Sequence, residues 1–488
     1  PQTLVLGAST SPALDGLPAR LAPDSRITLG VSGGGYPAVA VYARDGGDWQ
    51  LLELDGNRKI SLSENDRATL SSVSLSGGDA PGNTMLDTPG GYRVAVVGQS
   101  AGTTPEESRA VITDDIATAY FVSVPSPPEA GTAANPYIIN DVEGLQAISD
   151  DLHANYKLGS DIDASATATW NKVDGQAKGF EPVGTDGQPF TGSLDGGGHS
   201  IDGLTIQRDS RYVGLFGVTG GATITNTTLN AASVDGDSYY GGILAGELQR
   251  TTVRNVTVGG HVSGTGYVGG FAGGADHGGI IINSVSTAEI DGTRHVGGLF
   301  GAIDGTTISN VSATGDVKGE GRNYGPYGDA GGLVGYVGGT PKLTDVRATG
   351  AVEGNGRVGR LVGRSNGKIE NGSASGTVSG GDGVGGLVGY SLGQITNSTA
   401  EVQVTGAERV GGVVGALGRI DPNKRPPKLE VFVVNSDATG DVEGERYVGG
   451  LVGWRAQDAA NETSSATGTV TATGESGPVL GNDDQVAS

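Results

Sequence analysis

The chain contains no cysteine among its 488 residues. That excludes disulfide staples, thiol nucleophiles and thiolate-held metals, so order has to come from packing and hydrogen bonds. Long apolar runs are missing as well. No stretch approaches the roughly 18–20 residues of a membrane-spanning helix, which predicts no direct membrane insertion. Cations are scarce: 31 Lys and Arg stand against 54 Asp and Glu, a formal net charge of −23. A surface this acidic repels phosphate backbones and argues against nucleic-acid binding. The five histidines (His153, His199, His261, His277 and His295) form no HExxH, and neither GxSxG nor a Walker motif occurs. These absences predict no catalytic residue, no metal site and no cofactor.

What is abundant is glycine, at 90 residues, and it is not scattered. From about residue 212 a six-residue unit recurs: Val213 to Gly217, Gly241 to Gly246, Val268 to Gly273, Val296 to Gly301 and Ala330 to Gly335. It continues at Val358 to Gly363, Val384 to Gly389, Val410 to Gly415 and Val448 to Gly453, with a worn copy at Pro478 to Gly481. The terminal glycines stand 29, 27, 28, 34, 28, 26, 26, 38 and 28 residues apart. A period of that size signals stacked supersecondary units. Each repeat has a second half, as in Ile308 to Val317 and Ile395 to Val404, so one repeat reads as three short β runs joined by Gly or Asn turns. Coils pairing in parallel at about 4.8 Å would stack nine deep into a rod core of roughly 45 Å.

Upstream, residues 1–124 read as a separate immunoglobulin-like β-sandwich for docking or spacing. Its candidate strands are Arg26–Ser32, Ala38–Arg44, Trp49–Leu54, Lys59–Leu62, Ala68–Leu75, Tyr92–Val97 and Ala117–Val124. Residues 125–136, with Pro125, Pro127, Pro128 and Pro136, read as a linker. Residues 137–211 form the lead-in. A short helix is expected there, with Asn140 as N-cap, Glu143 three residues on, and Val142, Leu145, Ile148 and Leu152 on one face. Such a helix would cover the exposed edge of the first coil.

The VGGLVG-type unit resembles the GLUG motif, a repeat of bacterial and archaeal surface proteins, large adhesins and some secreted proteases. The lead-in matches that pattern at Tyr156 to Asp163, Phe180 to Gly184 and Phe190 to Ile201. The resemblance spans about residues 137–481 and implies a right-handed parallel β-helix of about nine coils. It implies little about activity, because such repeats serve as stalks and scaffolds in unrelated proteins. The composition is also similar to that of haloarchaeal proteins, with Asp exceeding Glu and Arg exceeding Lys roughly two to one.

Candidate contact residues follow from the breaks in spacing, since insertions in a solenoid bulge outward. Arg322, Asn323, Tyr324 and Tyr327 lie in the first insertion; Arg419, Lys424, Arg425 and Lys428 lie in the second. Tyr212, Tyr240, Tyr267, His295, Arg357, Arg409 and Tyr447 each precede a repeat unit and should form a column, as a stacking ladder or a sugar-contacting stripe. Sequons at Asn226, Asn255, Asn310, Asn371, Asn397 and Asn461 are possible glycosylation sites if outward, and bare if the Asn side chains stack inward. Asp161, Asp163 and Asp195 are the carboxylates a polysaccharide-degrading β-helix would need, and Asp161/Asp163 and Asp235/Asp237 are Asp-x-Asp pairs able to meet calcium, although turn carboxylates are the plainer reading.

Together these features predict a non-enzymatic, surface-exposed attachment or structural protein. Its expected partners are a host surface protein or glycan, other structural proteins through the N-terminal domain, and further copies of itself. Pro1 suits initiator-Met removal better than leader cleavage, and so favours a virion spike, turret or fibre of a haloarchaeal virus. A cell-surface adhesin or appendage subunit is the rival expectation.

Overall fold

The computed structural model describes the strands of residues 2–123 and, with their side chains apart from that of Asn461, residues 131–320, 328–418, 431–456 and 459–474. The chain divides into two compact units, Pro1–Ile138 and Ile139–Ser488.

The first unit is built of strands. Gln2–Leu6, Arg26–Val31 and Thr69–Ser74 form one sheet. Arg20–Leu21, Ile116–Ser123, Gly90–Gln99, Tyr36–Asp45 and Asp48–Leu51 form another, in that order. Six of the seven expected strands are present; Lys59–Leu62 lies outside the described residues. Tyr36–Asp45 and Asp48–Leu51 pair antiparallel with Asp45 opposite Asp48.

The second unit is a parallel β-solenoid of nine coils among the described residues. In each coil a short first strand such as Asp382–Gly385 leads through a turn into a second, Val388–Ser391. A third run, Gln394–Thr396, then bends at an Asn corner into Thr399–Thr405. All first strands pair with first strands and all second strands with second strands, nine deep. The register is strict: Val384 sits on Val410 and Val410 on Val448. Strand alternation sends Val384, Leu387, Val388, Ile395, Val402 and Val404 inward, each at most 1% exposed. Burial of each such side chain contributes about 1.5–3 kcal/mol.

The glycine pair in the repeat has a steric cause. A Cβ on Gly386 would lie 1.9 Å from the carbonyl oxygen of Gly412 in the next coil and 3.0 Å from the Ala400 methyl across the core. The first wall therefore passes so close to the opposite wall that only glycine facing alanine fits. Coil six breaks this rule. Arg360 takes the glycine position and is fully buried, the one buried cation among the described residues. Its Nε and Nη2 donate to the Ser375 carbonyl at 2.9 and 2.5 Å. Burial pushes its pKa down to about 10, with Asp316 opposing the shift.

The lead-in supplies the N-terminal end of the stack. The expected helix is shorter than its periodicity suggested, Val142–Gln146 followed by a 3-10 turn at Ala147–Asp150. Its N-cap is Asp141 rather than Asn140: Leu145 N–H reaches the Asp141 carbonyl, and Gly144 N–H donates to Asp141 Oδ1 at 2.8 Å. Val142, Leu145 and Ile148 are buried, whereas Leu152 is only half-buried because the helix has ended. The Tyr156 hydroxyl, on the lead-in strand Asn155–Leu158, donates to the Asp151 carbonyl at 2.8 Å and ties this turn to the coil.

Two measurements check this account. Gly386→Ala should lower the urea-unfolding free energy by about 1–3 kcal/mol through overpacking, while Gly187→Ala, whose Cβ meets nothing within 4 Å, should change it little. Arg360→Met keeps the volume and removes a buried charge, so its melting midpoint should equal or exceed that of the parent. Arg360→Ala should cost about 2 kcal/mol through the cavity it leaves. A Met variant as unstable as the Ala variant would show that the guanidinium bond to Ser375, not the filling of space, holds the corner.

Candidate functional site

The carboxylates that a glycosidase would need are each committed to backbone hydrogen bonds. Asp161 accepts from Ser200 N–H at 2.9 Å and faces His199 Nδ1 at 3.2 Å. Asp163 accepts from Ser165 N–H at 2.9 Å, and Asp195 accepts from Gly197 N–H and Asn226 Nδ2, both at 3.0 Å. The Ser200 backbone bond holds Asp161 below its ordinary pKa, and bonds to Ser165 do the same for Asp163. At Asp195 burial raises the pKa, but the Asn226 and Gly197 bonds outweigh it and the net shift is downward. A general acid requires the opposite displacement. Of the Asp-x-Asp pairs, Asp235 accepts from Ser233 and Ser263 hydroxyls at 2.8 and 2.9 Å, and no group of three metal-ligating side chains occurs among the described residues.

The column does form, and it changes character along its length. Register places Tyr212, Tyr240, Tyr267, His295, Asp329 and Arg357 one above another. The ring centroids of Tyr212 and Tyr240 are 5.2 Å apart, those of Tyr240 and Tyr267 4.8 Å, and those of Tyr267 and His295 4.9 Å. Tyr336 stacks on the histidine from the second strands at 5.4 Å. Burial, reinforced by Glu247, pushes Tyr212 up to about 12, and burial raises Tyr240 and Tyr267 as well. Glu247 is itself raised, chiefly by burial and then by Asp276. This half of the column is therefore a stack of protonated phenols. Because neighbouring rings cover the faces of Tyr240 and Tyr267, the stack offers edges rather than platforms to a sugar.

Beyond His295 the column becomes ionic. Asp329 is 1% exposed and lies between His295 Nδ1 at 3.0 Å and Arg357 Nε at 3.5 Å. The Arg357 guanidinium also sits 5.5 Å from the Tyr390 ring, and Arg364 lies over both Tyr336 and Tyr390. Arg409 and Tyr447 do not continue the column. Each has φ of 54°, an extra left-handed residue inserted before the valine, so Asp382, Glu408 and Arg446 take the column positions instead. Arg409 turns back to pair with Asp382, and Arg446 pairs with Glu408 at 2.9 Å. The spacing to the valine is one residue for all of these, so the bulge left no mark in the repeat pattern.

Two further edges complete the solenoid. At the corner between third and fourth strands, Asn226, Asn255, Asn283, Asn310, Asp345, Asn371, Asn397 and Asn435 all have φ between 49° and 56°. Their side chains are exposed and stacked, which combines the two arrangements that the sequons had set against each other. Asn255 Nδ2 donates to Asn226 Oδ1 at 2.9 Å, Asn283 to Asn255 at 3.3 Å, Asn310 to Asn283 at 2.8 Å and Asn371 to Asp345 at 2.9 Å. Ahead of the first strands runs an open groove of about 820 Å³ lined by Asp209, Asp237, Asp291, Glu320, Glu353 and Lys318, among others. The first insertion leaves its coil at Glu320. The insertion residues Arg322, Asn323, Tyr324, Tyr327, Arg419, Lys424, Arg425 and Lys428 themselves lie outside the described residues. No described helix is long and apolar enough to cross a membrane.

A 118-residue segment is 43% identical to halomucin of Haloquadratum walsbyi, covering 22% of this chain and 1% of that one. A 94-residue segment is 37% identical to a cell surface glycoprotein of Haloarcula japonica, covering 19% of this chain and 11% of that one. The matched segments are thus small parts of much longer relatives. A solved structure named IgA1 protease aligns with a TM-score of 0.33 and 15% identity, over 88% of this chain and 29% of that one. Residues 380–405, one full turn through coil seven, match the family described as the GLUG motif. The chain carries a GLUG motif within a parallel β-solenoid, and several proteins with which it shares sequence are haloarchaeal and named cell surface glycoprotein.

Proposed function

We propose that this chain is a non-enzymatic surface protein whose solenoid serves as a stiff spacer, holding attachment loops clear of the structure to which it is fixed. The observation that carries this reading is the continuity of the ladders. Nine coils repeat one backbone register, and their polar side chains bond mainly to the coil above or below instead of converging on a reaction centre. The N-terminal unit is read as an immunoglobulin-like sandwich that docks to other structural proteins, and the solenoid as right-handed. Arg419, Lys424, Arg425 and Lys428, four cations in an acidic chain, suit an anionic host glycan or an acidic surface layer.

The relatives' names support a place on a haloarchaeal cell surface, as an adhesin or appendage subunit. A spike, turret or fibre on a haloarchaeal virion would use the same build. Immunogold labelling of intact cells and purified particles separates the two, and label on neither would overturn both. Replacing the four cations by Ser should weaken attachment to host cells several-fold without altering the melting midpoint, as measured by cell-binding and circular dichroism. Unchanged binding would remove the second insertion from the contact surface.

A further inference from the structure

Five of the six sequons place their asparagine on the outward corner row, and the chain geometry that follows is the same in each. Asn226, Asn255, Asn310, Asn371 and Asn397 are exposed at positive φ. The next residue turns inward: Thr227, Val256, Val311 and Ser398 are at most 3% exposed. The one after it turns outward again, so Thr228, Thr257, Ser312, Ser373 and Thr399 are half-buried or exposed. Each of these sequons therefore shows both its amide and its hydroxyl on the same edge. Stacking does not use up the amide. A primary amide nitrogen carries two hydrogens, and a rung of the row needs one. The hydrogen left on an N-glycosidic amide lies anti to the carbonyl, the same disposition that lets peptide groups repeat in a bonded row.

We propose that these five corner asparagines are N-glycan acceptors, and that their glycans form a single row along one edge of the solenoid. Nδ2 forms a bond to C1 of a lipid-phosphate-linked sugar as the C1–O bond breaks. The lipid phosphate departs and one amide proton passes to solvent, while the rungs that Asn226, Asn255, Asn310 and Asn371 make to the preceding coil are kept. Asn461 stands apart. The corner of its coil is taken by Thr463, at φ of 50°, and this sequon hydroxyl donates to Asn435 Oδ1 at 2.6 Å and so belongs to the row itself. Asn461 stays bare. The first and second strands, with their aromatic and ionic column, carry no sequon and remain uncovered.

This inference rests on the surface reading, and the test separates the two. The full chain is produced in a haloarchaeal host, located by immunolabelling, and mapped by glycopeptide mass spectrometry. The expected result is hexose-bearing mass on peptides containing the corner sequons and none on the Asn461 peptide. Ser312→Ala should abolish the mass on Asn310 with an unchanged melting midpoint, because Asn310 keeps its rung. Asn310→Gln should abolish the mass and lower the midpoint. Surface-located chain with all five corners bare, or with glycan on Asn461, overturns the inference and leaves the surface reading intact. Chain absent from the surface overturns both.

Discussion

The parallel register between neighbouring coils is the constraint on which the rest of this structure depends. Strand pairing sets the coil-to-coil distance at about 4.8 Å, and every side chain then has the equivalent side chain of the next coil as its nearest neighbour. That distance suits stacked rings, as between Tyr240 and Tyr267, and amide rows, as between Asn226 and Asn255. It also suits opposite charges, as between Asp329 and Arg357. Like charges at the same spacing repel, and where Asp382 and Glu408 stack in register Arg409 lies against both carboxylates. Glycine and alanine answer the same constraint from inside, since walls held in register leave no freedom to swing apart around a larger residue.

Most of the solenoid was legible because its causes are periodic. The spacing of Gly217, Gly246, Gly273 and Gly301 reports coil length directly, and the alternation in Ile395 to Val404 reports which side chains point inward. What remained hidden depends on geometry at single residues. Arg409 and Tyr447 sit at the same distance before their valines as Tyr212 does, and only their left-handed backbone removes them from the column. Arg360 occupies a visible deviation from the Gly-Gly pattern, but its burial depends on the Ser375 carbonyl across the core, which no spacing announces. The helix cap moved by one residue for a comparable reason: Asn140 and Asp141 are both competent caps, and the choice is made by which carbonyl the Leu145 amide can reach.

The sequons show where a motif and a fold overlap. A corner asparagine is needed because it tolerates positive φ at low cost. The residue two positions later is often Ser or Thr, because it faces water on a strand where β-branched residues are favoured. The Asn-x-Ser/Thr pattern thus arises from the coil itself, and Asn283, which has the corner without the hydroxyl in the right place, shows that the two are separable. The carboxylates of the lead-in carry a similar lesson. Asp161, Asp163 and Asp195 looked like a possible reaction centre in the chain, and in space Asp163 and Asp195 each close a turn of their own while Asp161 ties to Ser200 of the next coil.

The Asn row also has a direction. The Nδ2 atoms of Asn226, Asn255, Asn283, Asn310, Asn371 and Asn435 bond backward, to the oxygen of a coil made earlier in the chain, and the row starts at Asp195, an acceptor with no amide of its own. A coil emerging later in synthesis thus finds its acceptor already in place. The solenoid can assemble vectorially, with the last completed turn as template, and needs no contact with residues still to come.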